Sequence, residues 1–264
     1  MQIRTFSTVL LLGFGLLACQ RNEATPSRPE VDPVLKKVSW SADEYRLMEY
    51  DDRGRLQTLA FHWKSAGPTP TSEVETYRFN YDANGNPASA TTSLGLSYKY
   101  YYSSNGELQK TEEFDRQGQL VVVRNYVFSN GRLAELLITP TSSASGGSRL
   151  TRKSFFYDAA GNLVRESFAE KGANQTAFQE VMSTEYSGFD NHPNPDNLLI
   201  SYPHFDPRIV YQKFNPTKAV TREAGGRTLE SQWTLTYDQA GLVIKKTIIT
   251  SLAQAPQTIS YEYQ

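Results

Sequence analysis

Beyond about residue 36 the chain alternates apolar and polar positions with a period of two. Tyr77, Phe79 and Tyr81 alternate with Arg78 and Asn80, and Trp233, Leu235 and Tyr237 with Thr234 and Thr236. Leu120, Val122, Arg124, Tyr126 and Phe128 share one face of another stretch. Successive side chains of a strand point to opposite faces, so this pattern, rich in aromatic and β-branched residues, predicts strands. No convincing amphipathic helix interrupts them. Lys171 to Val181 is the nearest to one, and Gly172 weakens it.

The strands are punctuated by a repeated phrase: an aromatic residue, Asp or Ser, two variable residues, Gly, any residue, then an apolar one. It runs Tyr50–Leu56, Tyr81–Pro87, Tyr102–Leu108, Phe114–Leu120, Tyr157–Leu163 and Tyr237–Val243, with a copy one residue short at Phe128–Leu133. The phrase can be decoded physically. Asp or Ser accepts a hydrogen bond from the backbone two residues on. The variable pair takes right-handed turn geometry. Gly54, Gly85, Gly106, Gly118, Gly131, Gly161 and Gly241 take the left-handed position that a Cβ disfavours. The result is a hairpin closed by a glycine bulge. It sets Tyr50 opposite Leu56, and Tyr157 opposite Leu163. Between Leu96 and Thr139 the turns leave almost no spare residues, which only a meander of antiparallel neighbours accommodates.

The first residues change the compartment rather than the fold. Arg4 precedes an apolar run, Val9 to Leu17, too short to span a bilayer as a stable helix. It ends at Leu16-Leu17-Ala18-Cys19, and Cys19 is the chain's one cysteine. This stretch resembles the lipobox of bacterial lipoproteins, which implies cleavage before Cys19 and lipid on its thiol. Residues 1–18 are then a signal peptide, 19–36 a lipidated cysteine with a polar, proline-bearing tether, and 37–264 the β body. The mature chain has 246 residues (264 − 18) and a formal charge of −2 (26 basic, after loss of Arg4, against 28 acidic). That balance gives no electrostatic case for nucleic acid, and one cysteine builds no disulfide framework.

The turn phrase resembles the tyrosine–aspartate (YD) repeats of bacterial cell-surface and toxin-shell proteins. A narrower likeness lies in Tyr186-Ser187-Gly188-Phe189-Asp190-Asn191-His192-Pro193-Asn194-Pro195, followed by Phe214-Asn215-Pro216-Thr217-Lys218-Ala219-Val220 and a last hairpin. This order is similar to an uncharacterised family of bacterial YD-bearing lipoproteins. The resemblance implies a lipid-anchored envelope protein, in the outer membrane, with an all-β body, and supplies no catalytic residues.

Candidate chemistry is sparse. The histidines are His62, His192 and His204, with no helical pair among them, and no second cysteine is present to ligate zinc. A calcium loop at Asp82–Asn86 lacks a second acidic cluster. There is no Gly-x-Ser-x-Gly, phosphate-cradling loop or His-Glu-x-x-His, so no cofactor or metal is indicated. The longest break in the hairpin rhythm, Gly188 to Asp206, is the candidate site. It gathers Asp190, His192, Asp196, His204 and Asp206 among Pro193, Pro195 and Pro203. Asp190, His192, His204 and Asp206 are its candidate ligand-binding residues, against the plainer reading of a structural plug. Tyr98, Tyr100 and Tyr102 share a strand face, more often a core face than a binding stripe.

The reading is therefore all-β: a single domain, a curved antiparallel β-meander of YD-type hairpins, curling partly closed towards a barrel. Its function reads as a lipid-anchored envelope protein presenting a sheet surface to a glycan or an envelope protein. The alternatives are a glycan- or peptidoglycan-acting hydrolase and a carrier of an apolar ligand.

Overall fold

Every hairpin of the turn phrase forms in the register its sequence predicts. Tyr50 pairs with Leu56, Tyr81 with Pro87, Tyr102 with Leu108, Phe114 with Leu120, Tyr157 with Leu163 and Tyr237 with Val243. The seven turn glycines all have positive φ, from 72° to 93°. At Asp51 the carboxylate accepts from the backbone of Arg53 at 3.0 Å and of Arg55 at 2.9 Å. Asp115 and Asp238 repeat this double bond. The bond four residues on locks the bulge itself, which the sequence reading did not foresee. The short copy is a two-residue turn, in which Asn130 (φ 52°) and Gly131 are both left-handed.

The computed structural model describes residues 34–65, 69–141, 149–197, 209–253 and 255–264, and residues 34–264 form one compact unit. The strands are β1 (Leu35–Ser39), β2 (Tyr45–Tyr50), β3 (Leu56–Lys64), β4 (Ser72–Tyr81), β5 (Pro87–Thr92), β6 (Ser97–Tyr102), β7 (Leu108–Phe114) and β8 (Leu120–Ser129), then β9 (Arg132–Pro140), β10 (Leu150–Tyr157), β11 (Leu163–Lys171), β12 (Gln179–Ser187), β13 (Lys218–Glu223), β14 (Thr228–Tyr237), β15 (Val243–Thr250) and β16 (Gln257–Tyr263). Each pairs antiparallel with its sequence neighbours, and β1 pairs with β16. The expected curling is thus complete: the meander is a closed barrel. The stretch after Lys171, the nearest to a helix, is instead the tight turn between β11 and β12, pinned by Gln175 accepting from the Gly172 amide at 2.7 Å.

Period two sorts the wall into an inner and an outer face. Register carries the inner face around the seam: Tyr261 lies opposite Val38, Val38 opposite Arg46, Arg46 opposite Phe61 and Phe61 opposite Glu75. Tyr77, Phe79, Tyr98, Tyr100, Tyr126 and Phe155 are buried inside, so the tyrosine stripe on β6 is core. The intervening residues Arg78, Lys99, Glu185, Arg222, Glu230, Lys245 and Glu262 are exposed outside. Outer charges pair across strands, as at Arg165–Glu180 (2.7 Å) and Arg222–Glu185 (2.9 Å). Tyrosines at strand ends, two of them from the repeat, also stitch neighbouring strands together at the rim. The Tyr50 hydroxyl donates to the Leu35 carbonyl at 2.8 Å, Tyr81 to Leu56 at 2.6 Å and Tyr263 to Val243 at 2.9 Å.

Antiparallel order places alternate turns at opposite ends. The turns at Gly54, Gly85, Gly106, Gly131, Gly161 and Gly241 fall at one end, together with the start of β1 and the connection from β12 to β13. The Gly118 turn falls at the other.

Candidate functional site

The described residues of the connection from β12 to β13, 188–197 and 209–217, lie inside the wall against its inner face. Among them, Asn194, Ile209, Tyr211, Gln212 and Asn215 are buried. Tyr211 packs against Phe155 of β10, ring centroids 5.4 Å apart. The two halves of the segment clasp one another. Pro193 bridges to Phe214 as an isolated β-pair, and Asp190 and Asn215 exchange backbone and side-chain bonds. The two stretches that carry the narrower family likeness are therefore in contact.

Asp190 is the knot. Its carboxylate accepts from the backbone of His192 and of Asn215, each at 3.0 Å, from the Asn215 side chain, and from the Tyr237 hydroxyl of β14. The His192 ring lies 4.4 Å from that of Tyr237. It also packs on the last glycine turn of the repeated phrase, where a Cβ on Gly241 would come within 2.9 Å of His192 Nδ1. Of the predicted ligand-binding residues the structure thus joins Asp190 and His192, in a clasp where the Asp190 carboxylate is spent on the chain. His204 and Asp206, like Cys19, lie outside the described residues.

A second knot lies at Asp196. It accepts from Tyr261 of β16 at 2.8 Å and pairs with Lys246 of β15 at 2.5 Å, both charged groups mostly buried. Lys246 also sits over the Trp233 ring, 4.5 Å from its centroid. Lys246 and Tyr261 were not foreseen as site residues. A signal for the first existed: Lys245-Lys246 in a two-period strand sends one lysine inward. Burial, and then the neighbouring carboxylates Glu166, Asp190 and Asp196, push the hydroxyls of Tyr186, Tyr237 and Tyr261 well above the ordinary tyrosine value. They act as neutral donors to those carboxylates.

Two concavities border the segment. One, of about 410 Å³, opens at the end bearing most of the glycine turns, between Leu108, Phe128 and Leu133 of the wall and Ile209 and Val210 of the segment. Arg132 and Lys213 are the cations on its lining. The other, of about 110 Å³, lies between Gln212 and the wall residues Leu163, Tyr186, Trp233, Leu235 and Lys246. A catalytic carboxylate is usually held high by burial. The carboxylates of Asp51, Glu112 and Asp158 depart downward instead. At Asp51 the first cause is its bond from Arg55, and at Glu112 that from Lys110. At Asp158 burial pushes up, and the bonds from Asn162 and the turn backbone outweigh it. No group of three or more His, Cys, Asp or Glu suited to a metal ion occurs among the described residues.

No family model matches the chain, and no curated protein does. Solved structures do. A porin-like protein from Bacteroides uniformis ATCC 8492 superposes with a TM-score of 0.60 at 14% identity, over 87% of this chain and 95% of that one. The fold is similar to theirs. A second porin-like protein, from Bacteroides vulgatus ATCC 8482, gives a TM-score of 0.56 at 10% identity, over 88% of this chain and 99% of that one. At such identities the likeness establishes the closed antiparallel barrel and nothing of its use.

Proposed function

We propose that the chain is a lipid-anchored protein of the cell envelope whose barrel stands in water beside the membrane and serves as a binding body. The observation that carries this reading is the polarity of the wall. A barrel that crosses a bilayer turns an apolar band outward, and Arg or Lys at the midplane costs about 2–4 kcal/mol each. Here Arg78, Lys99, Arg222 and Lys245 face outward from four different strands, with aromatics on the opposite face. The chain enters the barrel at Val34, at the end bearing most of the glycine turns, so a lipid on Cys19 tethers it by that end. The binding surface is the mouth there. Its concavity of about 410 Å³ falls in the range of roughly 300–1,000 Å³ typical of small-molecule pockets.

Fractionation of cells producing the wild type and Cys19→Ala tests the reading. The wild type is expected in the membrane fraction with acyl groups on its first residue. The variant is expected in the soluble fraction without detergent. A Cys19→Ala protein that stays in the membrane and needs detergent to leave it refutes the water-standing barrel.

A further inference from the structure

The Gln212 side chain is buried to 2% exposure on the smaller cavity. Neither its amide nitrogen nor its amide oxygen has a hydrogen-bond partner. Its backbone, by contrast, is fixed: the Gln212 amide donates to Asn197 Oδ1 at 2.8 Å. Buried polar groups are almost always paired, and one left bare is costly. The neighbours do not relieve it. Lys246 and Asp196 neutralise each other. The Asn215 amide nitrogen is spent on Asp190 and on the carbonyls of His192 and Pro193. What remains is an adjacent donor and acceptor, themselves buried, on a side chain that lines a hole walled by Leu163, Leu235 and Trp233.

We propose that this cavity is a binding site for a small neutral amide, free or as the acetamido group of a larger molecule. An amide offers the complement of Gln212: a carbonyl for its NH2 and an N–H for its oxygen. Its methyl group packs on Trp233 and Leu235. A carboxylate lacks the donor and would bring a charge into a site whose own charges are balanced. The size agrees. The cavity of about 110 Å³ equals roughly three to four waters at about 30 Å³ each, close to the four heavy atoms of acetamide. The inference does not depend on where in the cell the barrel resides.

Acetamide is the probe. Titrated into the isotope-labelled, full mature chain, it is expected to shift the Gln212 side-chain amide and Trp233 indole signals saturably. Its affinity should be in roughly the millimolar range suited to so few atoms. Its methyl protons should show nuclear Overhauser contacts to the Trp233 ring. Gln212→Met, which keeps volume and removes both polar atoms, should abolish the saturable shift. The direct contacts in the wild type test the site even where that variant folds poorly. No saturable shift in the wild type, an undiminished shift in folded Gln212→Met, or equal binding of acetate each overturns the proposal.

Discussion

Tyr261 donates its phenolic hydrogen to Asp196, 2.8 Å away and 65 residues earlier in the chain. With Lys246 on the other carboxylate oxygen, this fastens the inward segment to two strands beside the seam. Removing one member of a buried ion pair leaves the other charge uncompensated, at about 3–5 kcal/mol, whereas replacing both by apolar groups is often neutral. We expect Asp196→Ala to lose about that much stability in urea unfolding. Asp196→Leu combined with Lys246→Met should cost far less than the two single changes together. Additive costs would show that the pair is not coupled.

The clasp at Asp190 should behave as a structural element. Asp190→Ala orphans the Tyr237 hydroxyl and the Asn215 backbone amide. Each stranded buried group costs about 1–3 kcal/mol, so a clear fall in melting temperature is expected. His192→Ala, which removes a ring contact and leaves the His192 backbone bond to Asp190 intact, should lower it less. A double variant that melts like the wild type would return these residues to the role of a ligand site.

The turn glycines act through backbone geometry alone where space is open. At Gly118, φ is +75° and nothing lies within 4 Å of an added Cβ. Gly118→Val should therefore cost about 1–3 kcal/mol from the left-handed strain of a β-branched residue. Gln117→Ala in the same turn should change stability by less than about 0.5 kcal/mol. Gln117 is a cleaner control than Arg116, whose stem packs over Gly95. Equal unfolding midpoints for Gly118→Val and Gln117→Ala would contradict the strain argument.

Alkali should unfold the barrel cooperatively. Burial pushes Tyr50 and Tyr157 up from 10.0 to about 12. Between those values the unfolded chain has released protons that the folded chain retains, so rising pH favours unfolding. The stabilisation is whole below about pH 10 and drains away between about 10 and 12. Tyrosinate absorbance should rise late and together with loss of the barrel's circular dichroism. Tyr50→Phe and Tyr157→Phe should flatten the pH dependence. Tyrosinate appearing near pH 10 with the fold intact would argue against buried phenols.

The hairpins were legible because their code is local. Asp51 and Arg53, or Asp115 and Gln117, are two residues apart, and the bond between them needs nothing else. The same geometry at Thr92, whose hydroxyl accepts from Leu94 and Leu96 at 3.2 Å each with Gly95 at φ 84°, escaped notice because Thr stands where Asp or Ser was sought. A partial curl was legible, and its completion at the seam was not. Val38 meets Tyr261, and no pattern near either residue announces a partner so far along the chain. The site was half legible. Proline spacing marked residues 188–206 as unusual, but Gln212 and Lys246 become site residues only when the segment turns inward. Their surroundings come from strands scattered along the sequence.

The β1–β16 seam has a consequence for how such a barrel arises. Every other ladder joins strands adjacent in sequence, so hairpins can form early within short loops, the β12–β13 pair across residues 188–217 excepted. The seam alone must close over nearly the whole body, and that step is expected to set the folding rate. The same arrangement makes the hairpin a unit of growth. Inserting or deleting one such hairpin changes the circumference by two strands and leaves the order of all the others intact. What cannot be copied so freely is the filling. A wider ring needs more matter at its centre, so the length of the 188–217 segment should rise and fall with the number of hairpins.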